Sequence, residues 1–490
     1  MTRIPVHYLL ISLALLALAG TAEAQTLTLE ECRISAGPGH PSIKARCGTM
    51  LRPENPADPE SPEIEVYVAV VAALNLSPQT DAVVPIAGGP GQSSIEFYSM
   101  VSGAFEDLRR NRDILLVDQR GTGASSRMDC VIDDGAILFE DQYSLDDTVK
   151  FINECLEALP HDPRYFTTSI AVTDLEAIRK ALGYTSLNLY GVSYGSRVAQ
   201  HFARRYPEST RTVIIDGVVP PQISLGPEIA TESQRAVDNI LARCAEGAAC
   251  SESFPDIAAT FARVVAELRE SPVQVLVPHP STGRIEEVSF GAGQLAGAVR
   301  LLAYNPNTIA LLPLMIHEAG EGNFVPLTSQ FMLTAVAMSD TLALGMHNSI
   351  MCTEDLPFLD QTTIDHEGIE ASYMGSFQLE TLEAICASWP AGPIDPEFKV
   401  PLATDLPFLL LSGDADPITP PRYAEMAAVD LTNATHLIGK HQGHGQLVVG
   451  CMDRIVADFV DSADPASLDA TCMERSFVMP FFVGFSGPSP

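Results

Sequence analysis

Residues 187–200 read Leu-Asn-Leu-Tyr-Gly-Val-Ser-Tyr-Gly-Ser-Arg-Val-Ala-Gln. An apolar, strand-like run leads into Gly191-Val192-Ser193-Tyr194-Gly195, and a helix-prone Arg/Ala/Gln stretch follows. Between a strand and a helix, this G-x-S-x-G pattern makes a sharp elbow that lifts the serine hydroxyl above the end of its strand. The two glycines suit strained backbone angles and a tight approach of strand to helix, which a Cβ would obstruct. Alone, the pentapeptide also fits an ordinary turn. The flanks decide the reading, and Ser193 becomes the candidate nucleophile of an α/β sheet.

The surrounding pattern agrees with that sheet. From residue 63 the chain alternates β-rich apolar runs (EIEVYVAVVAAL, AVVPIAG, DILLVD, LNLYG, TVIIDG) with helical stretches near 95–110 and 170–182 and after Ser193. Short strands separated by helices predict βαβ units and a mainly parallel sheet flanked by helices. Residues 220–400 change character, with helical period, Pro and Gly breaks and few strand candidates. LPFLLLSGDAD at 406–416 resumes the strand pattern. The expected organisation is an α/β core over 25–219 and 401–490, with a mostly helical cap inserted over 220–400. The aromatic tail from 477 onward is expected to pack or fray.

Arg3, the apolar run Leu9 to Gly20 and Ala22-Glu23-Ala24 match the three regions of a secretory signal, so residues 1–24 are set apart from the fold. The run is short for a membrane span, and no stable insertion is expected after cleavage. Ten cysteines follow, in five sequence-neighbour couples: Cys32 and Cys47, Cys130 and Cys155, Cys244 and Cys250, Cys352 and Cys386, Cys451 and Cys472. An even count behind a signal sequence reads as disulfides of a secreted or periplasmic protein, though spacing alone leaves connectivity open. A formal net charge of −33 argues against nucleic acid, whose phosphates need clustered Lys and Arg. No H-E-x-x-H or paired C-x-x-C spacing suggests a metal, no cofactor motif is present, and no pattern sets an oligomeric state.

A serine hydroxyl needs a base within hydrogen-bond reach and a carboxylate to orient that base. Downstream, Asp416 ends a strand in Ser412-Gly413-Asp414-Ala415-Asp416-Pro417, and His444 sits in Gly443-His444-Gly445. The order Ser193, Asp416, His444 is the Ser, Asp, His order of α/β-hydrolases. At this level Asp414 is an alternative acid and His441 an alternative base; the other nine histidines, His366 among them, read as neither catalytic nor metal-binding. Acyl transfer also needs donors for an oxyanion. The N–H of Tyr194 is one candidate, and Gly89, in Ala87-Gly88-Gly89-Pro90-Gly91, supplies another; no Lys-Ser or Lys-Thr follows that would make this a phosphate loop.

Taken in order, Gly88-Gly89-Pro90-Gly91, Asp118-Gln119-Arg120-Gly121-Thr122-Gly123-Ala124-Ser125, Gly191 to Gly195, Gly413 to Pro417 and Gly443-His444-Gly445 resemble the proline iminopeptidase and tripeptidyl aminopeptidase family of secreted α/β-hydrolases. The resemblance covers about residues 30–219 and 400–485. It implies a serine aminopeptidase that removes proline, small apolar residues or short peptides from free N-termini, with Asp416 as the acid and His444 as the base. Proline iminopeptidases usually carry histidine where Ala87 stands, so the chain is more similar to the tripeptidyl aminopeptidase branch. Cys352, Cys386 with nearby Trp389-Pro390, and the last cysteine couple are also similar to that branch, which favours neighbour disulfides. The family anchors the substrate's α-amino group on cap carboxylates, and Glu354 and Asp355 are the candidates here; helix capping or a surface role is the competing reading.

The main expectation is therefore a secreted serine exopeptidase acting on peptides. A carboxylesterase acting on small esters with the same three residues is the alternative, because the fold hosts both. A catalytically silent binding protein is disfavoured by the presence of both nucleophile and base.

Overall fold

The computed structural model describes residues 27–37, 39–130, 145–475 and 478–489. The expected signal sequence lies outside the described residues. The described residues contain thirteen strands: β1 Glu30–Ile34, β2 Ile43–Pro53, β3 Glu63–Val71, β4 Ala82–Ile86, β5 Ile114–Val117, β6 Leu187–Val192, β7 Thr210–Asp216, β8 Val273–Pro278, β9 Ile285–Phe290, β10 Phe408–Gly413, β11 Ala434–Gly439, and the short tail pair β12 Phe482–Gly484 and β13 Gly487–Pro488. Nine of them form one sheet in the order β1-β2-β3-β5-β4-β6-β7-β10-β11. Pairings from β5 to β11 are parallel, while β1, β2 and β3 add an antiparallel edge. The sequence pattern begins at residue 63 and so misses β1 and β2. These two precede the first βα alternation, and β2 has one buried and one exposed face rather than a continuous apolar run.

β4, β6 and β10 are buried throughout, as helices on both faces of a parallel sheet require. Period two separates the faces. Leu189, Ile215 and Leu410 pack with Val172, Ile178, Val198 and Phe202 on one side. Tyr190, Ile214 and Leu409 pack with Ile95, Tyr98, Ile455 and Phe459 on the other. The parallel register puts Val192 beside Asp216 and Gly413 beside Gly439. The loops that follow these four strands thus emerge at one edge, the carboxyl end where open α/β sheets carry their ligands.

Between β7 and β10 the chain builds a separate apolar core from Val237, Phe261, Val299, Leu314 and Met332. Most of this segment is helical. The exception is the antiparallel β8–β9 hairpin, which pairs Val273 with Phe290 and Pro278 with Ile285. Its strands bury alternate residues such as Val275, Val277 and Val288 against the cap core. The C-terminal tail packs here too: the Phe482 N–H donates to the Ala310 carbonyl (2.9 Å), and the Arg243 guanidinium lies over the Phe481 ring.

All ten cysteines are paired, each with its sequence neighbour: Cys32–Cys47, Cys130–Cys155, Cys244–Cys250, Cys352–Cys386 and Cys451–Cys472. Closed-loop length sets how much each restricts the unfolded chain. The Cys352–Cys386 bond spans 34 residues and Cys244–Cys250 spans 6. Replacing both members of the first pair by serine is expected to lower the unfolding free energy by about 4 kcal/mol, against about 2 for the second, as read from urea denaturation.

Candidate active site

Ser193 follows the last residue of β6 and begins the helix Tyr194–Arg205, with φ 56° and ψ −126°. A non-glycine residue at positive φ is strained and persists only when its surroundings enforce it. Here the enforcement is visible. The Ser193 N–H donates to the Asp216 carbonyl at 2.8 Å, and its carbonyl accepts from Ser196 Oγ at 2.6 Å. A Cβ on Gly191 would lie 2.2 Å from the Gly195 oxygen, and one on Gly195 would lie 2.3 Å from the Ile86 oxygen, so the helix can close over the strand only with glycine at both positions.

Beyond β10 and β11 the two polar loops meet. His444 Nδ1 is 2.8 Å from Asp416 Oδ2. Asp416 is fully buried, and its other oxygen accepts the Ile418 and Thr419 N–H groups, both at 2.9 Å. Thr419 Oγ1 donates to Asp416 Oδ2 at 2.7 Å and lies 3.1 Å from His444 Nδ1. Burial alone would raise the Asp416 pKa, but the adjacent ring and these donors outweigh it and hold the carboxyl below its ordinary value. Burial opposes a charge on His444, yet Asp416 and the more distant Asp216 prevail and raise its pKa. The ring's hydrogen bonds to Asp416 and Thr419 both run to Nδ1, and His444 lines the same cavity as Ser193. Asp414, the alternative acid, instead accepts the His441 N–H at 2.6 Å, closing the turn in which His441 has φ 57°.

The imidazole is fixed by the cap as well as the core. The His444 N–H donates to the Tyr304 carbonyl at 2.7 Å, and the two rings meet edge to face at 5.0 Å. Gly443 lies against that carbonyl, where a Cβ would come within 2.2 Å. Asp216, buried at the end of β7, accepts from Tyr190 Oη at 2.8 Å and from the Gln446 and Leu447 N–H groups, fixing the segment after His444. Thr419, Tyr304 and Asp216 were not foreseen. Asp216 ends a legible strand in TVIIDG, whereas nothing local distinguishes Tyr304 from other cap aromatics.

The glycine loop packs directly on the elbow: a Cβ on Gly88 would lie 2.9 Å from the Ser193 Cβ. Gly89 has φ 107° and lines the cavity beside Ser193. Tyr194 heads its helix, where the first N–H groups lack intrahelical acceptors. The Asp118 to Ser125 segment stays behind these groups. Asp118 accepts from Ser93 Oγ (2.7 Å) and Ala124 N–H (3.1 Å), and the wholly buried Arg120 forks onto Asp174 at 2.7 and 3.0 Å.

The cavity over Ser193 measures about 680 Å³, and its lining is chiefly apolar. Glu354 and Asp355 are not brought to it. Both are wholly buried in the π-helical turn Met351–Asp355, which directs them inward. Glu354 accepts from Thr168 N–H at 2.7 Å and Thr168 Oγ1 at 2.9 Å, and that hydroxyl lies 2.5 Å from Tyr194 Oη. Burial raises its pKa to about 7 against the pull of Arg197. Asp355 holds Arg197 at 2.9 Å and Lys399 at 3.2 Å. The expected amino-group anchor is thus corrected: these carboxylates brace the helix behind Ser193, and their partners come from elements too distant in sequence to be anticipated. Among the described residues, no Asp or Glu lines the cavity.

The family described as alpha/beta hydrolase fold matches residues 81–243, and the family described as TAP-like protein matches residues 371–472. The serine protease Hip1 of Mycobacterium tuberculosis is 28% identical over 449 residues, covering 82% of this chain and 81% of that one. The tripeptidyl aminopeptidase of Streptomyces lividans is 25% identical over 211 residues, 39% of each chain. Among solved structures, proline iminopeptidase from Mycobacterium smegmatis aligns over 86% of this chain and 99% of that one, with 14% identity and a TM-score of 0.37. With the two family matches laid over the sheet that carries Ser193 and the segment that carries Asp416 and His444, the chain has the α/β-hydrolase fold with a C-terminal part similar to TAP-like proteins.

Proposed function

We propose that this protein is an exported serine hydrolase that cleaves peptides near their N-termini through an acyl-enzyme on Ser193. The observation that carries the reading is the buried Asp416–His444 pair, 2.8 Å apart, opening onto the same cavity as a serine at φ 56°. Ser193 Oγ attacks the scissile carbonyl and its proton passes to His444 Nε2. The imidazolium is stabilised by Asp416 and then protonates the departing amine. Water attacks the ester, His444 takes up one of its protons, and Ser193 leaves with that proton restored. The N–H groups of Gly89 and Tyr194 are proposed to receive the oxyanion. Five disulfides suit an oxidising compartment, and among the described residues no helix is long and apolar enough to cross a membrane. The cavity has room for several residues, which supports release of short peptides over a single proline. The named relatives, a serine protease and a tripeptidyl aminopeptidase, support a peptide substrate.

One observation favours the second reading, a carboxylesterase. A free α-ammonium calls for a carboxylate partner in a desolvated site, and the described lining offers none. A panel of alanyl anilide, its N-acetyl counterpart, a tripeptidyl anilide and p-nitrophenyl butyrate separates the two. Cleavage of the tripeptidyl anilide is the expected result; turnover of the ester alone establishes the esterase.

Two further outcomes test the chemistry. Ser193→Ala and His444→Ala are expected to keep native circular dichroism and lose nearly all turnover, and Asp416→Asn to lower kcat by about 10⁴. Asp414→Asn should have a mild effect, and a reversal of these two aspartate results would reassign the acid. In the pH profile, His444 must be neutral to accept a proton, so kcat/KM falls as pH drops through its pKa. The raised pKa places this acid limb above the ordinary imidazole value of about 6.5, and removing the Asp416 charge should shift the limb towards lower pH.

A further inference from the structure

The cap side of the cavity carries one guanidinium for which the protein supplies no counter-charge. Arg300 is the one Lys or Arg among the described lining residues, and no ion pair holds its half-buried guanidinium. Its side-chain partner is a neutral amide, Gln378 Oε1, at 3.5 Å. Asn348 lines the same cavity, is only 2% exposed, and its Nδ2 has no hydrogen-bond partner. Thr381 Oγ1, also on the lining, is likewise buried and unpartnered. Buried donors without acceptors are costly and uncommon in folded proteins.

These groups are connected through one wall. Gln378 and Thr381 stand three residues apart on the helix Phe377–Cys386, so they share a face. Leu382 of that helix packs on Met351, one turn beyond Asn348. Besides His444 on the core side, the other lining side chain able to carry positive charge is His347. Its burial outweighs a bond to the Pro90 carbonyl and lowers its pKa, which leaves Arg300 as the permanent cation.

Resting on the reading of this cavity as the substrate site, we infer that Arg300 forms the cation of an anion-binding subsite, and that the preferred substrate carries a carboxylate. A planar guanidinium in a partly desolvated, otherwise apolar cavity discriminates strongly for a carboxylate over a neutral isostere. Such a carboxylate can belong to the acyl portion or to the leaving group.

Binding is measured first, so that the result does not depend on turnover. Hexanoate and hexanamide are titrated by calorimetry into the Ser193→Ala protein, alone and combined with Arg300→Gln or Arg300→Lys. Hexanoate is expected to bind about tenfold tighter or more, with the difference lost in Arg300→Gln and partly kept in Arg300→Lys. Equal affinities, no binding of hexanoate, or a preference that survives Arg300→Gln would each overturn the inference; the last would place the carboxylate on His444 or the oxyanion donors. In enzyme with Ser193 intact, 4-nitrophenyl hydrogen glutarate against its carboxamide tests the acyl side. For the leaving side, 3-carboxy-4-nitrophenyl butyrate is compared with 4-nitrophenyl butyrate. An Arg300-dependent advantage in one pair assigns the side, and none in either overturns the substrate preference. Loss of the proposed function has a different signature, namely hydrolysis that survives Ser193→Ala while the binding difference persists.

Discussion

The strained elbow at Ser193 is the constraint around which the molecule is arranged. At φ 56° the residue does not relax because strand, helix and the neighbouring strand converge on it with no room for a side chain at Gly191 or Gly195. The same crowding brings Gly88 against Ser193 and aligns the glycine loop with the first turn of the helix. Local strain is thus offset by the burial of the sheet's parallel strands, a distribution common where a reactive side chain must be held clear of its own backbone. Asp216 connects this elbow with the segment after His444, since its carbonyl accepts from Ser193 and its carboxylate from Gln446 and Leu447.

Around that centre the charges fall into two groups. Asp416 and His444 form a pair in which each favours the ionised form of the other against the cost of burial. Behind the elbow, Glu354 and Asp355 serve Thr168, Arg197 and Lys399 and do not open onto the cavity. A strongly acidic chain therefore presents, over its candidate nucleophile, a chiefly apolar surface with a single guanidinium. Net charge describes the exterior of this protein and is a poor guide to its interior chemistry.

What could be read from sequence follows the range of the interactions involved. The elbow and the glycine loop are built by neighbouring residues, and Asp416 and His444 lie just beyond strands whose apolar runs are plain, so short segments suffice to locate them. The choice between Asp414 and Asp416 needed the family resemblance, and in the structure the two carboxylates turn to different partners, the His441 N–H and the His444 ring. The fate of Glu354 rests on Thr168, 186 residues away, and that separation hides it from any local pattern. Arg300 is equally silent, because what singles it out is a place on a cavity formed by several cap elements where its side-chain partner is a neutral amide. The β8–β9 hairpin escaped for a simpler reason: two short alternating runs amid helical periodicity are easily absorbed into it.

The C-terminal tail gives the architecture a practical consequence. Because Phe481 and Phe482 dock on Arg243 and Ala310, the segment between β7 and β10 is completed by residues from the far end of the polypeptide. A chimaera that exchanged only the inserted block would carry a foreign cap and a native tail, leaving two aromatic rings without their seat. Grafting of new specificities onto this scaffold should therefore transplant the last dozen residues together with the cap, as a single discontinuous module.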